Sequence, residues 1–261
     1  MTASQRAGTA NISVKTHDLR YLKDLLAETC LKLAQRFNLY SANGEPRKAF
    51  IIDSLSESTC LACIAQKLST SLNTRHIDDF YSECHKLAVN CLIEELCRIL
   101  AEMNYKVAVL SEARLEYGKA DVILRITKHG INLMCETKNL LVEVKTGNSL
   151  SFSQLFRYFL DGTNDSIVIW RVRRRQVLVF DAQKIKPLLA EFVRMICLRA
   201  ERLLSSEQIP LCQHVKNVSY QPSQEELQQA FEDFSEALVE TLPTVLDIIL
   251  KQLGIIPKQN V

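Results

Sequence analysis

Glycine and proline are scarce, seven and six in 261 residues, and neither an internal repeat nor a low-complexity tract is visible. Together with 47% hydrophobic and 24% charged residues, that scarcity excludes extensive disorder, because the apolar content can offset the entropy lost on ordering. No stretch approaches the roughly 20 apolar residues of a membrane span. Met1 to Val14 is polar and lacks the apolar run of a signal peptide. Net charge is also small. At +2 it neither demands nor excludes nucleic acid, so any nucleic-acid surface has to be a local patch. The nine cysteines follow no regular disulfide-type spacing, which points to a reducing compartment. The expectation is a soluble cytoplasmic protein without a membrane partner, one large α/β domain or a core with helical additions.

Hydrophobic periodicity predicts a helix over Leu19 to Phe37, ended by Ser41-Ala42-Asn43-Gly44-Glu45-Pro46, and a short second helix over Ser58 to Leu68. A longer helix is predicted from about Ile77 to Met103, with Ala88, Leu92, Leu96 and Met103 on one stripe. The period then shortens. Tyr105 to Leu110, Ala120 to Ile126 and Leu140 to Lys145 read as strands, and Ser151 to Leu160 as a helix. Ser166 to Phe180 reads as two strands turning near Arg173-Arg174-Arg175, and from Ala182 the pattern is helical, interrupted at Pro210 and Pro222. The division expected is an N-terminal helical segment (1–77), a β-rich core (78–205) and a C-terminal helical segment (206–261).

Three motifs fall in order inside that core: Gly118-Lys119-Ala120-Asp121, Glu143-Val144-Lys145-Thr146-Gly147 and Gln154-Leu155-Phe156-Arg157-Tyr158. Side chains alternate along a strand, so Glu143 and Lys145 share one face while Leu140, Val142 and Val144 take the other. Two charges at the end of an apolar strand are costly unless paired or bound to a metal. Asp121 on a neighbouring strand can complete a hard, oxygen-rich site suited to Mg²⁺ or Mn²⁺. A second E-x-K, Glu136-Thr137-Lys138, lies in a polar stretch ending at Asn139 and lacks the following Thr-Gly.

This arrangement resembles the PD-(D/E)xK nucleases, specifically the RecB-like branch, whose G-x-x-D, (D/E)-x-K-T-G and Q-x-x-x-Y motifs occur in this order. Ala120 stands where the superfamily's name has Pro. The resemblance implies a restriction-endonuclease-like core, a mixed sheet flanked by helices, and metal-dependent hydrolysis of DNA phosphodiesters. It implies metal binding by Asp121, Glu143 and the Val144 carbonyl. It also implies Lys145 as base or water-orienting group, and Gln154 and Tyr158 on the substrate or bracing the site. RecB-like nucleases commonly place a metal-binding His on the preceding helix. His85, on the apolar stripe with Leu92 and Leu96, fits that pattern, while Glu95 on its flank is the resolvase-like alternative and Glu94 points away. With no helicase motif, a strand-opening or repair partner would be a separate chain.

Alternatives remain open beside that reading. The charged residues fit a structural ion-pair cluster, hence an inactive nuclease-derived DNA-binding or assembly subunit, or a junction-resolvase-like endonuclease. Ser151 and Gln154 fit a capping box, and Tyr158 a packed aromatic. Arg171, Arg173, Arg174 and Arg175 can hold phosphates, with Trp170 stacking on a base, or form a solvated hairpin tip with Trp170 in the core. Cys60-Leu61-Ala62-Cys63 has metal-ligand spacing, with Cys212 and His214 as distant complements. No compact cysteine cluster follows the core, so no iron–sulfur cluster is expected.

Overall fold

The computed structural model describes residues 19–69, 79–103, 105, 107–129, 135–147, 150–162, 164–206 and 223–255. In chain order the elements are α1 (Leu19–Phe37), α2 (Lys48–Glu57), α3 (Leu61–Ser69), α4 (Asp79–Glu102), β1 (Val107–Leu115), β2 (Gly118–His129) and β3 (Cys135–Lys145). There follow α5 (Phe152–Asp161), β4 (Ser166–Arg171), β5 (Gln176–Asp181), α6 (Ala182–Ser205) and α7 (Gln224–Gln252), with a single 3-10 turn (Val172–Arg174) between β4 and β5. The fold is α/β: one five-stranded mixed sheet, in the order β1-β2-β3-β4-β5, flanked by helices.

β1, β2 and β3 form an antiparallel meander, β4 runs parallel to β3, and β5 returns antiparallel to β4. A parallel neighbour cannot be reached through a tight turn, and α5 supplies the crossover. Each sheet face carries its own apolar cluster. Leu140, Val142, Val144, Val168 and Trp170 pack with α4 and α7, whereas Leu141, Ile167 and Ile169 pack with α1, α2, α3, α5 and α6. The strict alternation expected for Leu140, Val142 and Val144 is therefore present, and the helices at both ends are built onto the central sheet.

Two irregularities open the sheet at one corner. The β2–β3 ladder ends at Val122↔Val142, although β3 continues beside β4 as far as Lys145↔Arg171. In the β1–β2 ladder the Glu112–Asp121 pair is missing, and Glu112 has φ 51°. Across that break the strands exchange faces: Val107, Val109 and Val122 join the α4/α7 cluster, but Ala113, Leu115 and Ala120 join the other. Asp121 sits at the crossover point, where a side chain can reach both layers.

Several elements differ from the sequence expectation. Helix α2 was not anticipated, because Phe50-Ile51-Ile52 is a run rather than a stripe; Ile51, Ile52 and Leu55 are all fully buried. The next helix begins at Leu61, not Ser58. β3 begins at Cys135, so Glu136-Thr137-Lys138 lies in the strand itself, paired with Lys128, Thr127 and Ile126. Pro187 and Pro243 lie inside α6 and α7, while Pro210 and Pro222 fall outside the described residues. Among the described residues, no helix is long and apolar enough to cross a membrane.

Candidate functional site

The open corner between β2 and β3 gathers the motif residues. Asp121 turns one carboxylate oxygen to His85 of α4, Nε2 at 3.1 Å, and with the other accepts the Val144 backbone N–H at 2.7 Å. The second bond satisfies a donor that lies beyond the end of the ladder. His85 is half-buried, and its pKa is raised, first by the hydrogen bond to Asp121, against the opposing effect of burial. The Val144 side chain is in the core, so its main chain is the part that faces Asp121.

Glu143 is 3% exposed and projects to the α5 side of β3. Its Oε1 accepts from Lys145 Nζ at 2.7 Å and from Gln154 Nε2 at 2.5 Å, and its Oε2 lies 2.6 Å from the Tyr158 hydroxyl. Lys145 Nζ also donates to Gln154 Oε1 at 2.6 Å, and Gln154 Nε2 lies 2.5 Å from the Tyr158 hydroxyl. Tyr158 shares its one hydrogen between Glu143 and the Lys119 carbonyl, 2.9 Å away. Burial raises the Glu143 pKa; the Asp121 charge adds to the rise, while Lys145 and the Tyr158 hydrogen bond oppose it. Burial and the adjacent Glu143 likewise push the Tyr158 phenol upward. The capping-box reading of Ser151 and Gln154 is corrected. The Ser151 side chain makes no cap bond but contacts Ser153, and Gln154 is turned into the site because Lys145 and Glu143 satisfy both ends of its amide.

Asp121, Glu143 and His85 offer hard oxygen and imidazole donors of the kind that suits Mg²⁺ or Mn²⁺. Among the described residues no three His, Cys, Asp or Glu side chains stand grouped as a ready-made ion site. As they stand, Asp121 faces His85 and Glu143 faces Lys145. The donor chemistry fits a divalent ion, which would compete with those two partners.

One cluster escaped the sequence reading. Arg157, between Gln154 and Tyr158 on α5, is buried and forms a two-pronged pair with Asp53 of α2: Nε to Oδ1 at 3.1 Å and Nη2 to Oδ2 at 3.0 Å. Its Nη1 donates to the Tyr117 carbonyl, at the β1–β2 turn. That contact explains the glycine of the first motif: a Cβ at Gly118 would stand 2.4 Å from Arg157 Nη1. An apolar cleft of about 700 Å³, lined by Phe152, Phe156, Leu188, Phe192 and Met195, also borders α5 but includes none of these charged residues.

The remaining candidates separate. Glu95 pairs with Arg98 along α4 and Glu94 is exposed. Trp170 is fully buried and its Nε1 donates to Thr241 Oγ1 at 2.9 Å, which corrects the base-stacking reading: its indole is needed to pack α7. Arg175 is held by Glu236 and Glu240, and Arg173 lies over Tyr81, so both are committed to contacts within the chain, while Arg174 is exposed. Cys60 and Cys63 are half-buried, Cys60 just before α3 and Cys63 within it; Cys212 and His214 lie outside the described residues. No protein-family model, no curated protein and no solved structure matches the chain.

Proposed function

We propose that this chain is a metal-dependent DNA nuclease of the RecB-like type, hydrolysing phosphodiester bonds at the corner where β2 leaves β3. The observation that carries this reading is two hydrogen-bonded sets, His85–Asp121–Val144 and Glu143–Lys145–Gln154–Tyr158, adjoining along β3 at Glu143-Val144 and assembled from α4, β2, β3 and α5. The order α4-β1-β2-β3-α5-β4 around a mixed sheet supports a restriction-endonuclease-like core. A solvated ion-pair cluster would not need a 3% exposed glutamate at the end of an apolar strand.

Asp121, Glu143 and His85 would hold Mg²⁺ or Mn²⁺, with the Val144 carbonyl as a further oxygen donor. A bound ion supplies Lewis-acid polarisation of the phosphate and acidifies the attacking water. Lys145, whose ammonium keeps one N–H beyond those given to Glu143 and Gln154, would orient the attacking water and offset the charge developing on phosphate. Gln154 holds the Lys145 ammonium against Glu143, and Tyr158 fixes the second Glu143 oxygen. The test is cleavage of end-labelled single-stranded, duplex and branched DNA in Mg²⁺, Mn²⁺ or EDTA. Ion-dependent products support the reading, and intact DNA in every ion and form opposes it.

A further inference from the structure

We infer that Asp53 of α2, distant from the motifs in sequence, is a positioning residue that sets the distance between the two halves of the candidate site. Helix α5 grips the β1–β2 turn at two carbonyls on either side of Gly118: Arg157 donates to Tyr117 and Tyr158 to Lys119. Asp121 follows two residues later on the same strand, so the turn's seating decides where that carboxylate stands relative to Glu143 and Lys145. The same face of α5 carries Gln154, which binds both of those residues.

The Arg157 guanidinium is 6% exposed as a residue and reaches the turn with one nitrogen, while its other two nitrogens are occupied by Asp53. A planar guanidinium bound on two edges cannot pivot, so Asp53 fixes the direction in which Nη1 points. Asp53 Oδ1 also accepts from Ser153 Oγ at 2.5 Å, which ties the first turn of α5 to the same carboxylate. Asp53 is thus bonded to α5 at Ser153 and at Arg157, on both sides of Gln154. The N-terminal helices thereby reach the site through Asp53, beside the contacts that Lys48 makes with Glu116 and the Lys23 carbonyl with the Tyr117 hydroxyl at the same turn. Arg157 and Tyr158 together hold the turn, and Gly118 leaves the space they need.

For its kinetic consequence this rests on the nuclease reading; its structural consequence stands without it. Asp53→Asn keeps shape and weakens the two-edged grip. A second variant, Asp53→Asn with Arg157→Met, removes the grip without leaving a buried unpaired charge, and is used if the first does not fold. Amide exchange is read by mass spectrometry on the whole protein, with thermal melting as the control for folding. Faster exchange over residues 116–121, with protection in α1 and α3 unchanged, is expected in the folded variant. If wild-type protein cleaves DNA, kcat should fall by about 10–100-fold with KM within about twofold, as for a misplacement near 1 Å. Unchanged exchange at the turn overturns the inference, as does loosening that spreads equally through α1 and α3. A wild-type protein that cleaves nothing removes the kinetic arm and the nuclease reading, and leaves the exchange result to decide on Asp53.

Discussion

The Asp121 carboxylate accepts the Val144 backbone N–H at 2.7 Å, across two strands whose ladder has already ended at Val122 and Val142. One side chain there replaces a missing rung, and its second oxygen remains for His85. The corner is open because the strands separate, and it is held in shape by the same carboxylate that the proposed reaction uses.

Glu143 is costly in the folded state, so Glu143→Gln should raise thermal stability at neutral pH. Its folded pKa lies above the unfolded value of about 4.3, mainly through burial. Such a group's contribution is fully present below the unfolded pKa and is lost as pH rises through the folded one. The variant should therefore melt above wild type at pH 7–8 in EDTA, with the difference vanishing near pH 4. A variant that melts lower at neutral pH contradicts the sign.

His85 and Glu95 are separated by geometry: His85 touches Asp121, and Glu95 is engaged by Arg98. His85→Ala should weaken Mn²⁺ binding by at least roughly 10–100-fold, the loss usual even for an outer-shell partner. Glu95→Ala should leave it unchanged. Because the His85 pKa is raised, protons should compete with the ion, and calorimetry in buffers of different ionisation enthalpy should show proton release near pH 6–7. Loss of Mn²⁺ binding in Glu95→Ala with normal binding in His85→Ala would favour the resolvase-like arrangement.

Gly118 is fixed by Arg157 rather than by its own backbone angle. A methyl there meets Nη1 at 2.4 Å, and that nitrogen is already bound to the Tyr117 carbonyl. Gly118→Ala should cost about 1–3 kcal/mol, the usual range for overpacking, and lower Tm accordingly. Equal stability of variant and wild type in urea would show that the guanidinium yields freely.

Trp170 is a packing residue between the sheet and α7. Trp170→Phe removes the bond to Thr241 and part of the ring, and should cost about 1–3 kcal/mol in denaturant unfolding. DNA affinity should not change. Preserved stability with weakened DNA binding would restore the stacking role.

Glu143 with Lys145, and Gln154 with Tyr158, could be paired in the sequence by local period, whereas their assembly with Asp121 and His85 was implied by the resemblance to the RecB-like motif order. Residues two apart share a strand face and residues four apart share a helix face. A β-rich core between helical segments followed from the change in period along the chain, and the mixed character of its sheet was implied by the resemblance. Asp53 could not be read in this way: its partner is 104 residues away, and its helix carries a run of apolar residues rather than a stripe. The ladder break at Glu112 is equally silent, since a positive φ at a glutamate leaves no compositional mark. Trp170 was ambiguous because an arginine run beside an aromatic fits either a nucleic-acid contact or a hairpin tip, and only the Thr241 partner on α7 separates them.

Lys145 is the most direct probe of the proposed chemistry, because its ammonium joins the two motifs through Glu143 and Gln154 without being a metal donor. Folded Lys145→Ala protein is compared with wild type on end-labelled DNA, with Mn²⁺ binding measured in parallel. Mn²⁺ affinity should persist while turnover falls by about 10³-fold or more, as when residues acting as one unit lose a member. Cleavage at the wild-type rate by well-folded Lys145→Ala would contradict the assignment.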